Sequence, residues 1–326
     1  MTLGYVLPIR CGAGCIGGGA HPELTAYLRG LPECTEVLVV DGSDPPCFAR
    51  HRSAWSGRMR HIAPDPDLCC RNRKVAGVLT GLRHASADHV VIADDDVRWD
   101  AAGLLRVRRL LDQAELVRPQ NYFDPLPWHA RWDTARTLVN RALGADYPGT
   151  LALRRRFLLD AGGYDGDVLF ENLELIRTIH AVGGRELVAL DLYVRRRPPS
   201  TRHFLSQRVR QAYDDFALPA RLGVALSLLP AAIYVTARRD AATVPLLALS
   251  AVALAEAGRR RAGGAAMFPA TASWLAPLWV AERAVCAWIA LGSRLALGGC
   301  RYRGTVIRRA ASSHRSIRRR LAPAGA

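Results

Sequence analysis

The run at residues 89–96, HVVIADDD, constrains the fold of this chain more than any other stretch. Its apolar half reads as a buried strand, and the strand passes directly into three adjacent aspartates. Carboxylates that close together repel one another, so the fold must supply something that offsets their charge. A second run of the same form lies upstream at residues 36–44, EVLVVDGSD, again apolar and again ending in acids. Around these two, short β-type stretches alternate with helical patterns. Strands are expected at residues 5–10, 59–64, 114–120 and 147–155, and helices at 21–32, 73–85, 155–166 and 170–184, the last two stopped by glycines. Such alternation predicts an α/β fold whose mostly parallel sheet carries helices on both faces. In sheets of that kind ligands collect at the carboxyl ends of the strands, where Asp41 and the triplet Asp94, Asp95 and Asp96 fall.

A turn crowded with carboxylates becomes favourable when a hard divalent cation shares them. Mg²⁺ takes one or two carboxylates and completes its shell with water and phosphate oxygens, and a cation held there would neutralise the diphosphate of a nucleotide leaving group. An isolated triplet could equally be an acidic loop or a helix N-cap. Its neighbours favour the cation. VVDGSD, RKVAGVLTGLRHASADHVVIADDD, PGTLALRR, GGYDGDVLFENLEL and QRVRQ follow one another in that order.

With this ordered set, residues 4–217 resemble the family 2 inverting glycosyltransferases of the GT-A fold, especially their membrane-attached, ceramide-glucosyltransferase-like branch. The resemblance implies a Rossmann-like GT-A catalytic domain, a UDP- or GDP-linked sugar donor, and Mg²⁺ or Mn²⁺ as cofactor. It places the nucleoside contact on Asp41, with Asp44 beside it, and the metal on Asp94 and Asp96, with Asp95 between them on the donor. Lys74 falls at a diphosphate contact, while Leu79 stands where the family has an asparagine. The family's Q-x-x-R-W motif falls on Gln207 and Arg210, near the diphosphate and the acceptor entrance, with Gln211 in place of the tryptophan.

The most consequential departure is at Glu171-Asn172, where the family has Glu-Asp and the aspartate is the general base. An amide does not accept a proton at neutral pH. Glu171 is therefore the expected base, with Asp165 or Asp167 as alternatives, and an inactive protein or another chemistry as the remaining outcomes. Glu174 reads as structural. Trp128 and Trp132 read as a sugar or lipid platform or as ordinary core, and His180 and His203 as surface or capping residues. Gly17, Gly18 and Gly19 lack the spacing of a dinucleotide loop. The arginines of residues 193–204 read either as ligands of headgroup phosphates or as a solvated basic face.

Composition shifts near Leu218. Uncharged apolar runs at 222–237, 241–255 and 263–281 follow, the last succeeded by Glu282-Arg283 and further apolar residues to 293, against a full membrane span of about 20 apolar residues. The chain is accordingly divided into a catalytic part, 1–217, two or three membrane-associated spans or hairpins, 218–297, and a basic tail, 298–326. The formal net charge is +16, from 45 Lys and Arg against 29 Asp and Glu. Residues 294–320 hold many arginines and no acid, a pattern expected against anionic lipid headgroups. No zinc-finger spacing or aromatic RNP box accompanies it, so nucleic acid is not the expected partner. The eight cysteines are scattered without a CxxC pair, which predicts reduced thiols, and the apolar start is too short for a signal peptide. Together these features predict a cytoplasmic catalytic domain at the cell membrane. The predicted activity is inverting transfer of a sugar to a lipid or lipid-linked acceptor. The alternatives are transfer to a polyisoprenyl phosphate, whose anion needs little base, and a non-catalytic nucleotide-sugar-binding protein.

Overall fold

The computed structural model describes residues 2–11, 22–239 and 242–321, and Gly17, Gly18 and Gly19 lie outside them. The apolar runs become strands of one eight-stranded sheet. In chain order these are β1 (Leu3–Ile9), β2 (Thr35–Asp41), β3 (Arg60–Ile62), β4 (His89–Ala93), β5 (Val97–Arg98), β6 (Leu116–Phe123), β7 (Thr150–Arg154) and β8 (Glu186–Arg196). Their order across the sheet is β3-β2-β1-β4-β7-β6-β8-β5. The block from β3 to β4 is parallel, as is the pair β6 and β8. β7 enters between β4 and β6 antiparallel to both, and β5 closes the edge antiparallel to β8.

Both faces of the central strands are covered, which is why β1, β2 and β4 read as near-continuous apolar runs rather than alternating. Tyr5, Leu7, Val39 and Val91 face one core with Trp55 and Trp99, while Val6, Leu38 and Val90 face the other with Val78, Leu82 and Ile176. The helices of this part are α1 (Pro22–Arg29), α2 (Pro45–Ala54), α3 (Arg73–His84), α4 (Ala101–Leu110), α5 (Trp128–Leu143), α6 (Arg155–Asp160) and α7 (Glu171–Ala181). Asn72 caps α3 by accepting from the Lys74 amide at 3.2 Å, which fixes where Lys74 leaves the helix. α3 then lies close on β1: a Cβ at Gly77 would stand 2.9 Å from Pro8 Cβ.

Beyond β8 come α8 (Thr201–Tyr213), α9 (Pro219–Ala237), α10 (Thr243–Arg260), α11 (Ala270–Ser273), α12 (Ala276–Leu297), the hairpin of β9 (Cys300–Tyr302) with β10 (Thr305–Ile307), and α13 (His314–Leu321). Two stretches are long and apolar enough to cross a membrane, α9 and Ala270–Leu297, which runs through α11 and α12. The two differ in what surrounds them. α9 carries its apolar side chains outward, Ile233 being 63% exposed. α12 shares a core with α7 and α8 through Cys286, Ala290, Leu173, Ala212 and Tyr213. In its middle, Arg283 is buried; its Nη1 donates to Gln211 O at 2.6 Å and lies 3.4 Å from Asp215 Oδ2. Of the tryptophans in this region, Trp279 is buried and Trp274 and Trp288 are exposed.

The basic tail folds back over the start of α7. Leu169 N donates to Arg309 O at 3.0 Å and Phe170 N to Ala310 O at 2.8 Å. Arg309 and Arg320 pair with Asp165 at 2.8 and 2.9 Å, and the buried Glu174 accepts from Ser312 N at 2.6 Å. Part of the tail's charge is thus spent on the acids of its own chain.

Candidate active site

The three aspartates leave the carboxyl end of β4 in a tight turn, with Asp94 N donating to Gly149 O at 2.9 Å and Val97 N to Asp94 O at 3.1 Å. Two cations, one on each side, offset them. Lys74 Nζ, from the first turn of α3, stands 2.5 Å from Asp94 Oδ1. Arg196, the last residue of β8, sets its Nε 2.8 Å from Asp96 Oδ2 and its Nη2 3.7 Å from Asp94 Oδ2. Asp95 is exposed and contributes its carbonyl to Arg98 Nη1 at 2.7 Å. Gly149 permits this closeness, since a Cβ there would lie 2.8 Å from Asp94 Oδ2 and 3.2 Å from Arg196 Cζ.

Lys74 also binds Glu171, Nζ to Oε1 at 2.8 Å, so one ammonium links the β4 turn to the first residue of α7. Burial alone would lower the Lys74 pKa, but Asp94 and Glu171 outweigh it and raise it, keeping the ammonium charged. Asp96 behaves in the opposite sense: desolvation pushes its pKa up against the pull of Arg196. Its Oδ1 is buried with no hydrogen-bond partner, an uncompensated acceptor of the kind folded proteins rarely retain.

Asn172 points its amide at the chain, donating to Pro148 O at 2.9 Å. Glu171, Asn172, Asp94, Arg196, Arg210 and Asp214 line one cleft. Gln207 accepts from Arg210 Nε in a short contact, and lines an adjoining cleft with Asp96 and Arg196. The structure therefore gathers Lys74, Asp94, Asp96, Glu171, Gln207 and Arg210 around two adjoining clefts.

Asp41 and Asp44 form a separate group at the end of β2. Asp44 caps α2 by accepting from Cys47 N at 3.0 Å. Asp41 is 1% exposed; its Oδ1 accepts from Ser43 N at 2.9 Å, and its Oδ2 lies 2.6 Å from His51 Nδ1 and 2.9 Å from His61 Nε2. Burial would raise its pKa, but the hydrogen bonds from His61, Ser43 and His51 outweigh that and hold it at about 2. Trp55 stacks on His51 at 4.6 Å and Phe48 on His61 at 4.4 Å.

Several residues here carry no signal that sequence reasoning used. Arg196 belongs to the 193–204 run, yet neither reading of that run describes it. Arg195 pairs with Asp124 at 3.1 Å, Arg196 with the triplet, and Arg197 with Glu23 at 2.7 Å. The reason is that β8 ends beside β5, bringing three consecutive arginines among acids from distant segments. His51, His61 and Asp214 were likewise unmarked, being isolated polar residues with no spacing rule. Trp132 packs near Phe204 at 6.1 Å, while Trp128 is half exposed. His180 stacks on His314 and lies 3.3 Å from Glu186.

No family model matches the chain, and no curated protein matches it. Among solved structures, it is similar to a mannosyltransferase from Pyrobaculum calidifontis in complex with GDP-Man and Mn²⁺, at 19% identity and a TM-score of 0.56, over 88% of this chain and 86% of that one. Weaker likenesses are to Staphylococcus aureus TarS with UDP-GlcNAc (12% identity, TM-score 0.44, 63% of this chain and 61% of that one) and to glucosyl-3-phosphoglycerate synthase of Mycobacterium tuberculosis with Mn²⁺, UDP-Glc and phosphoglyceric acid (20% identity, TM-score 0.42, 62% and 74%). The first likeness establishes the fold: this is a GT-A glycosyltransferase fold, extended by apolar helices.

Proposed function

We propose that the chain transfers a sugar, with inversion, from a UDP- or GDP-linked donor to a lipid or lipid-linked acceptor, as a family 2 enzyme of the ceramide-glucosyltransferase-like branch. The observation that carries this reading is Asp96 Oδ1, a buried carboxylate oxygen without a partner, while Asp96 Oδ2 and both oxygens of Asp94 are paired with cations. A divalent cation answers that vacancy in bonding, and hard carboxylate oxygens are its preferred ligands. Asp94 and Asp96 would hold Mg²⁺ or Mn²⁺. When bound, the ion would supply positive charge to the diphosphate leaving group. Lys74, Asp95, Gln207 and Arg210 lie around the donor, with Lys74 and Arg210 adding charge for the phosphates. The nucleoside would lie toward the end of β2, where Asp41 fixes His51 and His61, and Asp44 fixes the start of α2. The acceptor hydroxyl would meet the carboxylates of the main cleft, Glu171 and Asp214.

The membrane enters through the helices. We assign residues 1–217 to catalysis on the cytoplasmic side, 218–297 to membrane association, and 298–326 to a basic tail. The outward apolar face of α9 and α10, with Ile233, Leu246 and Leu247 all more than half exposed, supports this, because monomeric soluble proteins rarely leave such patches open. A second reading, transfer to a polyisoprenyl phosphate, is favoured by Arg136, Arg210 and Arg221 lining the cleft. The test is to incubate membranes carrying the full chain with labelled GDP-mannose, UDP-glucose and UDP-N-acetylglucosamine plus Mn²⁺. Label should pass from one of them into the lipid fraction. Saturable binding without transfer would instead make the chain a non-catalytic nucleotide-sugar-binding protein.

A further inference from the structure

Glu171 has both carboxylate oxygens engaged. Its Oε1 is 2.8 Å from Lys74 Nζ, and its Oε2 accepts from Asn72 Nδ2 at 3.4 Å. Both oxygens are therefore already occupied by donors from the start of α3, Lys74 and Asn72, which fits a carboxylate that holds its neighbours in place. Asn172, beside it, is already spoken for as a donor to Pro148 O. The cleft contains another acid. Asp214 stands where α8 gives way to a short 3₁₀ turn, and it lines the cleft together with Glu171, Asn172 and Arg210. Its Oδ1 is buried and has no hydrogen-bond partner. Its neighbour Asp215 is placed differently, held by Arg221 at 2.9 Å and Arg283 at 3.4 Å.

We infer that Asp214, rather than Glu171, takes the proton of the acceptor hydroxyl, and that Glu171 serves as a positioning residue that holds Lys74 against Asp94. The inference rests on the glycosyltransferase reading above. In the step, the acceptor O–H proton passes to the Asp214 carboxylate as the hydroxyl oxygen bonds to the anomeric carbon. The bond from that carbon to the diphosphate oxygen breaks, and its electron pair leaves with the nucleoside diphosphate. No other reactant is needed.

The surroundings of Asp214 suit a base working near neutrality. Desolvation raises its pKa first, against Arg210, and Glu171 raises it further; with Arg283 lowering it and Asp215 raising it, the value comes to about 7. The charged and titratable groups facing it are thus Arg210 and Asp215 beside it in the chain, Glu171 from α7 and Arg283 from α12, with the Cys300 thiol of β9 near enough to feel its charge. A base is most effective when its pKa lies near the working pH.

The experiment measures transfer into the lipid fraction by membranes carrying the full chain, with labelled GDP-mannose, UDP-glucose and UDP-N-acetylglucosamine and Mn²⁺, between pH 5.5 and 8.5. Wild type, Asp214→Asn and Glu171→Gln are compared, and Mn²⁺-dependent donor binding is measured for each. The wild-type rate should rise with pH and level off above about 7, since the base must be deprotonated. Asp214→Asn should bind donor as wild type does, transfer about 10²–10⁴-fold more slowly, and lose that rise. Glu171→Gln should keep the rise but move it to lower pH, because a neighbouring negative charge has gone. Transfer by Asp214→Asn within threefold of wild type would overturn the inference and indicate an acceptor that is already an anion. Loss of donor binding together with transfer in Asp214→Asn would also overturn it, making Asp214 a packing residue. Wild-type membranes that bind and transfer none of the three donors would sink the glycosyltransferase reading itself.

Discussion

At Asp41 the backbone amide of Ser43 and two imidazoles converge on one buried carboxylate. Desolvation opposes the charge there, and the three hydrogen bonds prevail, leaving the folded pKa at about 2, below the roughly 3.9 of an unfolded aspartate. A depressed carboxylate pKa stabilises the fold above the unfolded value, and that stability drains away as pH falls through the folded one. Asp41→Asn should therefore be less stable than wild type at pH 7 by about 2 kcal/mol, with the gap closing between pH 4 and 2 in urea denaturation. Equal midpoints at pH 7 would show that the histidines do not depend on the charge. The sequence marked Asp41 through its place at a strand end. It could not mark His51 and His61, because no spacing rule ties a helix residue and an edge-strand residue to a carboxylate on a third element.

Elements differ in how far their pattern betrays them. β1, β2 and β4 were legible as strands because each is buried on both faces and so reads as an unbroken apolar run. β8 was missed: it is only half buried and carries Glu186, Asp191 and its final arginines among the apolar residues. With it went the position of Arg196, the cation facing the triplet. α12 shows a different limit, since the same apolar run suits a lipid-facing span and a helix packed on protein. What separates the two is Arg283, whose partners Gln211 and Asp215 lie on another part of the chain. Arg283→Leu should make the segment more apolar yet lower the protein's stability by about 1–3 kcal/mol, since Asp215 keeps Arg221 and the main loss is the donor to the Gln211 carbonyl. A thermal melt in mild detergent reads this directly. An unchanged or raised melting temperature would mean that α12 owes little to its contact with α8.

For the whole molecule, charge and apolarity are sorted around the sheet. One edge of the clefts is built by α7, α8 and the returning tail, and beyond it α9 and α10 turn apolar side chains outward. Under the proposed function, a fold placed this way would face a bilayer with its clefts near the surface, the arrangement that a lipid-borne acceptor requires. The order of motifs along the chain was enough to indicate the GT-A fold, because strand ends and turns lie in chain order. The pairing of acids with Lys74 and Arg196 depends on residues about 20 and 100 positions away from the triplet, and such pairings leave no local trace. In the proposed function, the acids at the end of β4 hold a divalent cation which in turn grips a diphosphate. Calorimetric titration of the purified full chain with GDP-mannose, UDP-glucose and UDP-N-acetylglucosamine, with and without Mn²⁺, tests it most directly. Saturable binding of one donor that requires Mn²⁺ and disappears in both Asp94→Ala and Asp96→Ala is the predicted result. Donor binding that persists in excess chelator, or that survives both substitutions, would contradict it.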